Sequence, residues 1–420
     1  MEENRNERQS FLLGFLWGAA AMLLLGAAAM VLLRFTGLGD LLAAGFSAGT
    51  ARQAVSRNAT EKKLETLADL IDEYYYEDVD AALVEEGIYD GLFDSLGDPY
   101  SEYYNNREYE SFLASTNGSY YGIGVVMIQD PDTGEVSVLR VYSGTPAEEA
   151  GLKAGDILLE IDGRSADSEE LSQMVWWIKG EEGSSVQLKI RRYHGEKSEE
   201  LEVLAERRKI QVPTVEYRML DGNVGFLQIS EFTELTAEQF AQAIADLEHQ
   251  GMEALIVDLR DNPGGVLDGV SEVLDQILPE GIVVYTEDKY GNRTDYESSG
   301  DTYLDMPLAV LVNGNSASAS EIFAGAIKDY GYGTLIGTRT FGKGIVQSIF
   351  TLQDGSAVKV TTAKYFTPLG HNIHEVGIMP DVELEYEYLN PEDEAYEPMH
   401  DNQVLKALEL FNNSKKGSYT

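Results

Sequence analysis

The sequence predicts a multidomain chain of mixed class, α+β modules followed by an α/β core, and three observations carry that prediction. An unbroken apolar run opens the chain, short β runs with turns fill its middle, and strand-length apolar runs alternate with amphipathic helices through its second half. At 420 residues the chain exceeds what one hydrophobic core usually supports, and a 43% hydrophobic content lets most of it fold.

The apolar run, FLLGFLWGAAAMLLLGAAAMVLL over 11–33, carries no charge and is long enough to cross a hydrocarbon layer of about 30 Å. Arg5 and Arg8 precede it and Arg34 follows, a weak positive-inside signal. Small residues from Ala43 to Ala48 would suit a signal-peptide cleavage, but the run exceeds the usual signal core. The expectation is therefore a cytoplasmic stub and single-pass membrane anchor over 1–36, with the rest of the chain extracytoplasmic; secretion after cleavage is the alternative. Residues 37–58, rich in Gly, Ala and Ser, read as a linker.

A small helical region is expected over 59–115. Leu64, Leu67, Ala68 and Ile71 fall at helical spacing, and a second amphipathic stretch follows over 79–96. These faces, with a further helix over 402–411, suit either homodimerisation or core packing. From 116 to 205 the pattern changes to YGIGVVMIQ, EVSVLRVY, DILLEIDG and SSVQLKIRRY, with one helical segment over 169–178, which predicts a compact β-rich module. Gly122, Ile123, Gly124 and Val125 open a strand at a glycine-rich turn whose backbone N–H groups can receive a carboxylate. From 206 to 390, VGFLQIS, EALIVDL, PLAVLVN and GTLIGT are strand-like, with amphipathic helices between them. A tail with its helix closes the chain over 391–420.

Composition excludes several classes. Lys and Arg number 31 against 72 Asp and Glu, a net charge of −41 that repels nucleic acid. With no Cys there is neither a disulfide framework nor a thiolate nucleophile or ligand, and with only five His no metal site is expected.

Reactive groups in open α/β folds gather at the carboxyl ends of strands. Two such ends stand out: EALIVDL runs into RDNPGG, and PLAVLVN runs into GNSASASE. Ser316, Ser318 and Ser320 alternate with Ala just before a helix, where one Ser would suffice as a cap. The excess leaves room for a nucleophile at a helix start whose amides can hold an oxyanion. Its base could be a histidine, with His371 and His374 in a loop-like stretch as candidates, or a buried Lys. Lys343, flanked by Gly342 and Gly344 at the start of the strand-like GIVQSIFTL, fits the second option, and Gln347 four residues on is a neutral amide able to orient it. The residues alone leave these alternatives open.

Two resemblances narrow them. The GIGV turn and SGTPAEEAGLKAGDILLEIDG resemble the PDZ domain, implying that a protein tail adds a strand beside 124–128, with Gly122, Ile123, Gly124 and Val125 as its contacts and its carboxylate at Gly122 to Gly124. NGNSASASEIFAGAI, DLRDNPGG, GTRTFGKGIVQ and TPLGHNIHEVGIMPDVEL together resemble the carboxyl-terminal processing, or tail-specific, protease family over roughly 60–412. That resemblance implies a protease core of the ClpP/crotonase type over 206–390, a Ser318 nucleophile, a Lys343 base and an orienting Gln347. It further implies an oxyanion hole from Ala319 and a glycine of NPGG, Gly264 or its neighbour Gly265. It implies no cofactor, and partners that are protein substrates with accessible carboxyl-terminal tails. His374 stands where the family often carries a small residue, which keeps a histidine-assisted variant in view. A catalytically silent tail-binding scaffold and an acyl-CoA enzyme on the same core are the rival readings.

Overall fold

The computed structural model describes residues 57–417 apart from Asp132, Ser168, Glu196, Asp393 and Glu394. The expected anchor over 11–33 and nearly all of the linker lie outside the described residues, and among the described residues no helix is long and apolar enough to cross a membrane. The chain forms two compact units, one holding the described residues up to 107 together with 347–361, the other holding 108–346 and 362 onward.

In the first unit, α1 (Arg57–Tyr74) and α2 (Ala81–Asp94) occupy the two stretches expected to be helical. Asp80 caps α2 by accepting the Ala82 N–H at 2.9 Å, which ends the turn between them. Leu64, Leu67 and Ile71 of α1, and Leu83, Ile88 and Leu92 of α2, remain exposed. A short strand, β1 (Glu102–Tyr104), pairs antiparallel with 357–359, and Lys359 Nζ reaches Glu102 at 3.1 Å.

The second unit begins within α3 (Asn106–Thr116) and continues through β2 (Ser119–Gly122) into the β-rich module. Its strands are β3 (Val125–Gln129), β4 (Val136–Val141), β5 (Ile157–Ile161), β6 (Arg164–Ser165), β7 (Ser185–His194) and β8 (Lys197–Glu206). They pair antiparallel in the order β3-β4-β5-β7-β8, with β6 beside β5. The short α4 (Pro146–Glu149) starts on proline, which has no N–H to leave unsatisfied, and α5 (Leu171–Ile178) covers the sheet. Ile123, Leu158, Ile161, Met174, Ile178, Leu188 and Ile190 fill the space between. β9 (Arg208–Gln211) pairs with β2 and leads out of the module.

The core sheet runs β10 (Val215–Leu220), β11 (Val224–Ile229), β12 (Ala254–Asp258), β15 (Leu308–Val312), β16 (Thr334–Gly337) and β19 (Val382–Glu383). Only the β10–β11 pair is antiparallel. Strands β12 and β15 are apolar at nearly every position because both faces are covered. Leu255, Val257, Val310 and Val312 face α6 (Thr236–His249), α7 (Leu267–Asp275) and α8 (Ala319–Tyr330). Ala254, Ile256, Ala309 and Leu311 face Val404, Ala407 and Phe411 of α9 (Asn402–Gly417).

The strand–helix alternation expected from sequence omitted an antiparallel insertion. β13 (Gly281–Asp288) and β14 (Arg293–Ser298) form a hairpin after α7, and β13 also pairs with the end of β18 (Ala357–Phe366). β17 (Ile345–Thr351) precedes β18 and pairs with it.

Candidate active site

β12 and β15 lie side by side and parallel, with Asp258 opposite Leu311, so their carboxyl ends open together. The strap Arg260–Gly265 and the turn Gly314–Ser318 leave from that edge. Asp261, with φ +60°, accepts the side-chain amides of Asn313 at 2.9 Å and Asn315 at 2.8 Å, which ties the two together.

Burial separates the three serines. Ser316 and Ser320 are fully buried and spend their hydroxyls on backbone carbonyls, Ser316 Oγ on Leu259 O just before the strap at 2.8 Å and Ser320 Oγ on Asn262 O within it at 3.0 Å. Ser318 between them is the partly accessible one. It sits at φ +53°, ψ −114°, a conformation that costs a non-glycine residue about 1–3 kcal/mol and is kept only where surroundings enforce it.

Those surroundings are two buried side chains. Glu321, one turn into α8, accepts the Ser318 N–H at 3.0 Å and the Lys343 N–H at 2.8 Å on one carboxylate oxygen. Its other oxygen accepts the Gly342 N–H at 2.8 Å and the Thr340 hydroxyl at 2.5 Å. Burial pushes this carboxyl above the usual range, while the four donors pull it back. Tyr365, near the end of β18, donates its hydroxyl toward Ser318 O at 3.0 Å and, closer still, toward Lys343 O. From the sequence Glu321 reads only as a first-turn acid suited to the helix dipole, and Tyr365 carries no signal.

The strap supplies amide donors. Gly264 comes so close that a Cβ there would lie 2.7 Å from Ser318 Cβ and 2.8 Å from Ala319 N. Its own N–H is taken, however, donating to Asn262 Oδ1 at 2.8 Å. The Gly264 O and Val266 N–H bond to Phe232, which turns the Gly265 N–H to the other side. Among the described residues neither the Gly265 nor the Ala319 N–H has a partner, so of the two glycines offered by the sequence it is Gly265 whose donor is unspent.

Lys343 is half-buried and lies ahead of β17, in an irregular segment, rather than in the strand, so strand periodicity does not govern how it relates to Gln347. Gln347, on β17, donates its amide to Thr361 Oγ1 at 3.3 Å. Gly344 admits no Cβ, because His374 N would lie 2.6 Å away. His374 Nδ1 is buried with no hydrogen-bond partner among the described residues; His371 is exposed.

In the β-rich module, Ile123, Gly124 and Val125 line a groove of about 370 Å³ between β3 and α5, while Gly122 is paired within β2. The Ile123 and Gly124 N–H groups have no partner among the described residues. A cation and a carboxyl group also face the groove. Lys179, at the end of α5, is half-buried, lies 5.4 Å over the Tyr120 ring, and burial holds its ammonium below the usual range. Glu231, just past β11, is pushed up by burial.

Comparison with known proteins bears on this arrangement. Residues 223–384 match peptidase family S41, residues 137–192 a PDZ domain, and residues 39–108 the N-terminal domain of the activating protease CtpB. A probable CtpA-like serine protease of Staphylococcus haemolyticus is 35% identical over 357 residues, covering 83% of this chain and 71% of that protein. The chain belongs to peptidase family S41. A probable CtpA-like serine protease of Staphylococcus aureus strain MSSA476 is also similar, 34% identical over 84% of this chain and 71% of the relative. Among solved structures, the photosystem II D1 C-terminal processing protease aligns over 81% of this S41 chain and 92% of its own, with 30% identity and a TM-score of 0.46. This S41 protein is thus a CtpA-like serine peptidase with a PDZ domain, acting on protein substrates.

Proposed function

We propose that the protein cleaves exported or membrane-associated proteins near their carboxyl termini, with Ser318 as nucleophile, Lys343 as general base and Gln347 orienting the lysine. The observation that carries this reading is the accessibility of Ser318 between two fully buried serines, at a helix start with unspent N–H groups at Ala319 and Gly265. Neutral Lys343 takes the Ser318 Oγ proton as Oγ bonds to the scissile carbonyl carbon, and the oxygen gains the electron pair. The Ala319 and Gly265 amides hold that oxyanion. The carbon–nitrogen bond then breaks, Lys343 returns its proton to the leaving amine, and water, deprotonated by the same lysine, releases the acyl group.

A peptidyl phosphonate, which modifies an activated serine covalently, tests the assignment. Mass-spectrometric mapping should place the adduct on Ser318 and on neither Ser316 nor Ser320. No adduct at all in a folded enzyme would favour a silent scaffold, and an adduct elsewhere would move the nucleophile.

The PDZ groove is the site for the substrate tail, its terminal carboxylate received by the Ile123 and Gly124 amides with Lys179 as counter-ion. Glu231 opposes that charge once ionised. Its pKa is raised, so it is neutral at acid pH and ionises as pH climbs through the raised value. Lys179→Met should weaken binding of a fluorescent free-acid tail peptide about tenfold, the worth of ~1.4 kcal/mol. Glu231→Gln should tighten binding at pH 7.5, a gain that disappears as pH falls through the pKa of Glu231. Equal affinity for the free-acid and amidated peptides would remove the carboxylate from the reading.

The charge-free run at 11–33 supports a membrane anchor that leaves the peptidase extracytoplasmic, and the uncovered apolar faces of α1 and α2 support a homodimer through the first unit.

A further inference from the structure

We propose that Tyr365 is a positioning residue for the peptidase reaction, its buried hydroxyl joining the carbonyls of Ser318 and Lys343 while the Glu321 carboxylate joins their N–H groups. This rests on the reading of Ser318 and Lys343 as the reacting pair.

The two turns that carry these residues follow the paired strands β15 and β16, and past the end of that ladder the Phe341 N–H donates to Ser316 O at 3.0 Å. Glu321 Oε2 accepts from Ser318 N at 3.0 Å and from Lys343 N at 2.8 Å, and Tyr365 Oη lies 3.0 Å from Ser318 O and closer to Lys343 O. Each residue is therefore gripped at both its N–H and its carbonyl by groups that also grip the other. The Tyr365 backbone adds a third tie, its N–H donating to Gly344 O at 3.2 Å.

A hydroxyl has one proton, so it is shared between the two carbonyls, and a small separation of the turns breaks the sharing. Tyr365 is only 1% exposed, which excludes competing water and fixes the ring by packing. Ser318 needs such a grip, because its positive φ is not a conformation serine keeps by itself. Carbonyl clamping at Ser318 and Lys343 thus fixes the separation of hydroxyl and amine, on which proton transfer depends steeply.

Tyr365→Phe removes one oxygen and preserves the ring. With a tail-bearing peptide substrate, kcat is expected to fall about 10- to 100-fold while KM stays within twofold, and phosphonate labelling of Ser318 to slow by the same factor. The pH dependence of kcat should also move, since the lysine's environment has changed. Para-aminophenylalanine at 365, which retains a donor, should restore kcat to within fivefold of the native enzyme. Tyr365→Phe with native kcat and pH profile overturns the proposal, whatever its melting temperature, because a merely structural hydroxyl would lower stability alone. If Tyr365→Phe does not fold, the para-amino variant decides: a folded protein with the labelling rate of a Lys343→Ala enzyme overturns the proposal. An adduct mapped to a serine other than Ser318 would instead sink the Ser318 assignment itself, independently of either Tyr365 variant.

Discussion

Lys343→Arg should be as inactive as Lys343→Ala, each lowering kcat about 10²- to 10⁴-fold on a tail-bearing substrate, with KM little changed. A general base must give up a proton before it can take one, and a guanidinium does not do so in water-compatible pH ranges. If Lys343 merely supplied positive charge near the oxyanion, arginine would retain much of the rate. Lys343 is half-buried beside Gly342, Gly344 and Ile345, all buried. Ser318→Ala should cost more, about 10⁴-fold or beyond, and the double variant Ser318→Ala with Lys343→Ala should be no worse than Ser318→Ala alone, because groups that act as a unit are lost together. Steady-state rates with single-turnover controls decide it; an arginine variant retaining a tenth or more of native kcat would contradict the base role.

Much of this site could be read before the fold, and what could not has a common cause. The apolar runs 254–258 and 308–312 announce two strands buried on both faces, and the glycine-, serine- and asparagine-rich stretches after them announce turns at their carboxyl ends. Local pattern places SASAS at a helix start. It cannot rank the serines, because that ranking depends on Leu259 and Asn262, more than fifty residues away, accepting two of the three hydroxyls. NPGG likewise offers two glycine donors, and only the fold reveals that Asn262 Oδ1 has claimed one of them. Tyr365 leaves no trace in local pattern: it lies in a strand with ordinary β-forming neighbours, and its two partners are set by tertiary approach. The hairpin of β13 and β14 escaped for another reason. β14 is polar and mostly exposed, and the apolar part of β13 is confined to Ile282–Tyr285, so neither a strand-length apolar run nor a clean alternation marks them.

The last long-range feature is also the one with the largest expected effect on stability. Arg260, at the entrance to the strap, is 8% exposed and binds Asp258 through two nitrogens at 2.9 and 2.6 Å and Asp401 at 2.7 Å. Gln403 Oε1 at 3.0 Å and Tyr396 Oη at 3.2 Å also accept from it, and the guanidinium lies 5.2 Å over the Tyr386 ring. Asp401 in turn caps α9, accepting the Gln403 N–H at 2.8 Å and the Val404 N–H at 3.2 Å. One cation thus serves two carboxylates that are essentially out of water, Asp258 at 1% and Asp401 at 0% exposure. Arg260→Met leaves both carboxylates uncompensated, and breaking a buried pair in this way costs about 3–5 kcal/mol. Asp401→Asn leaves Asp258 and Arg260 matched one to one and keeps an amide able to cap, so its cost should be well below half of that. The expected order, Arg260→Met far more destabilising than Asp401→Asn, follows from charge count alone. Thermal melts of the two variants check it: a drop of roughly 10 °C for Arg260→Met against a few degrees for Asp401→Asn fits a domain of this size, and equal losses would mean that the carboxylates are not relying on the arginine. Because the strap carries Gly264 and Gly265 four and five residues beyond Arg260, the arginine variant should also lose activity below its melting point, in proportion to how far the strap departs from Ser318.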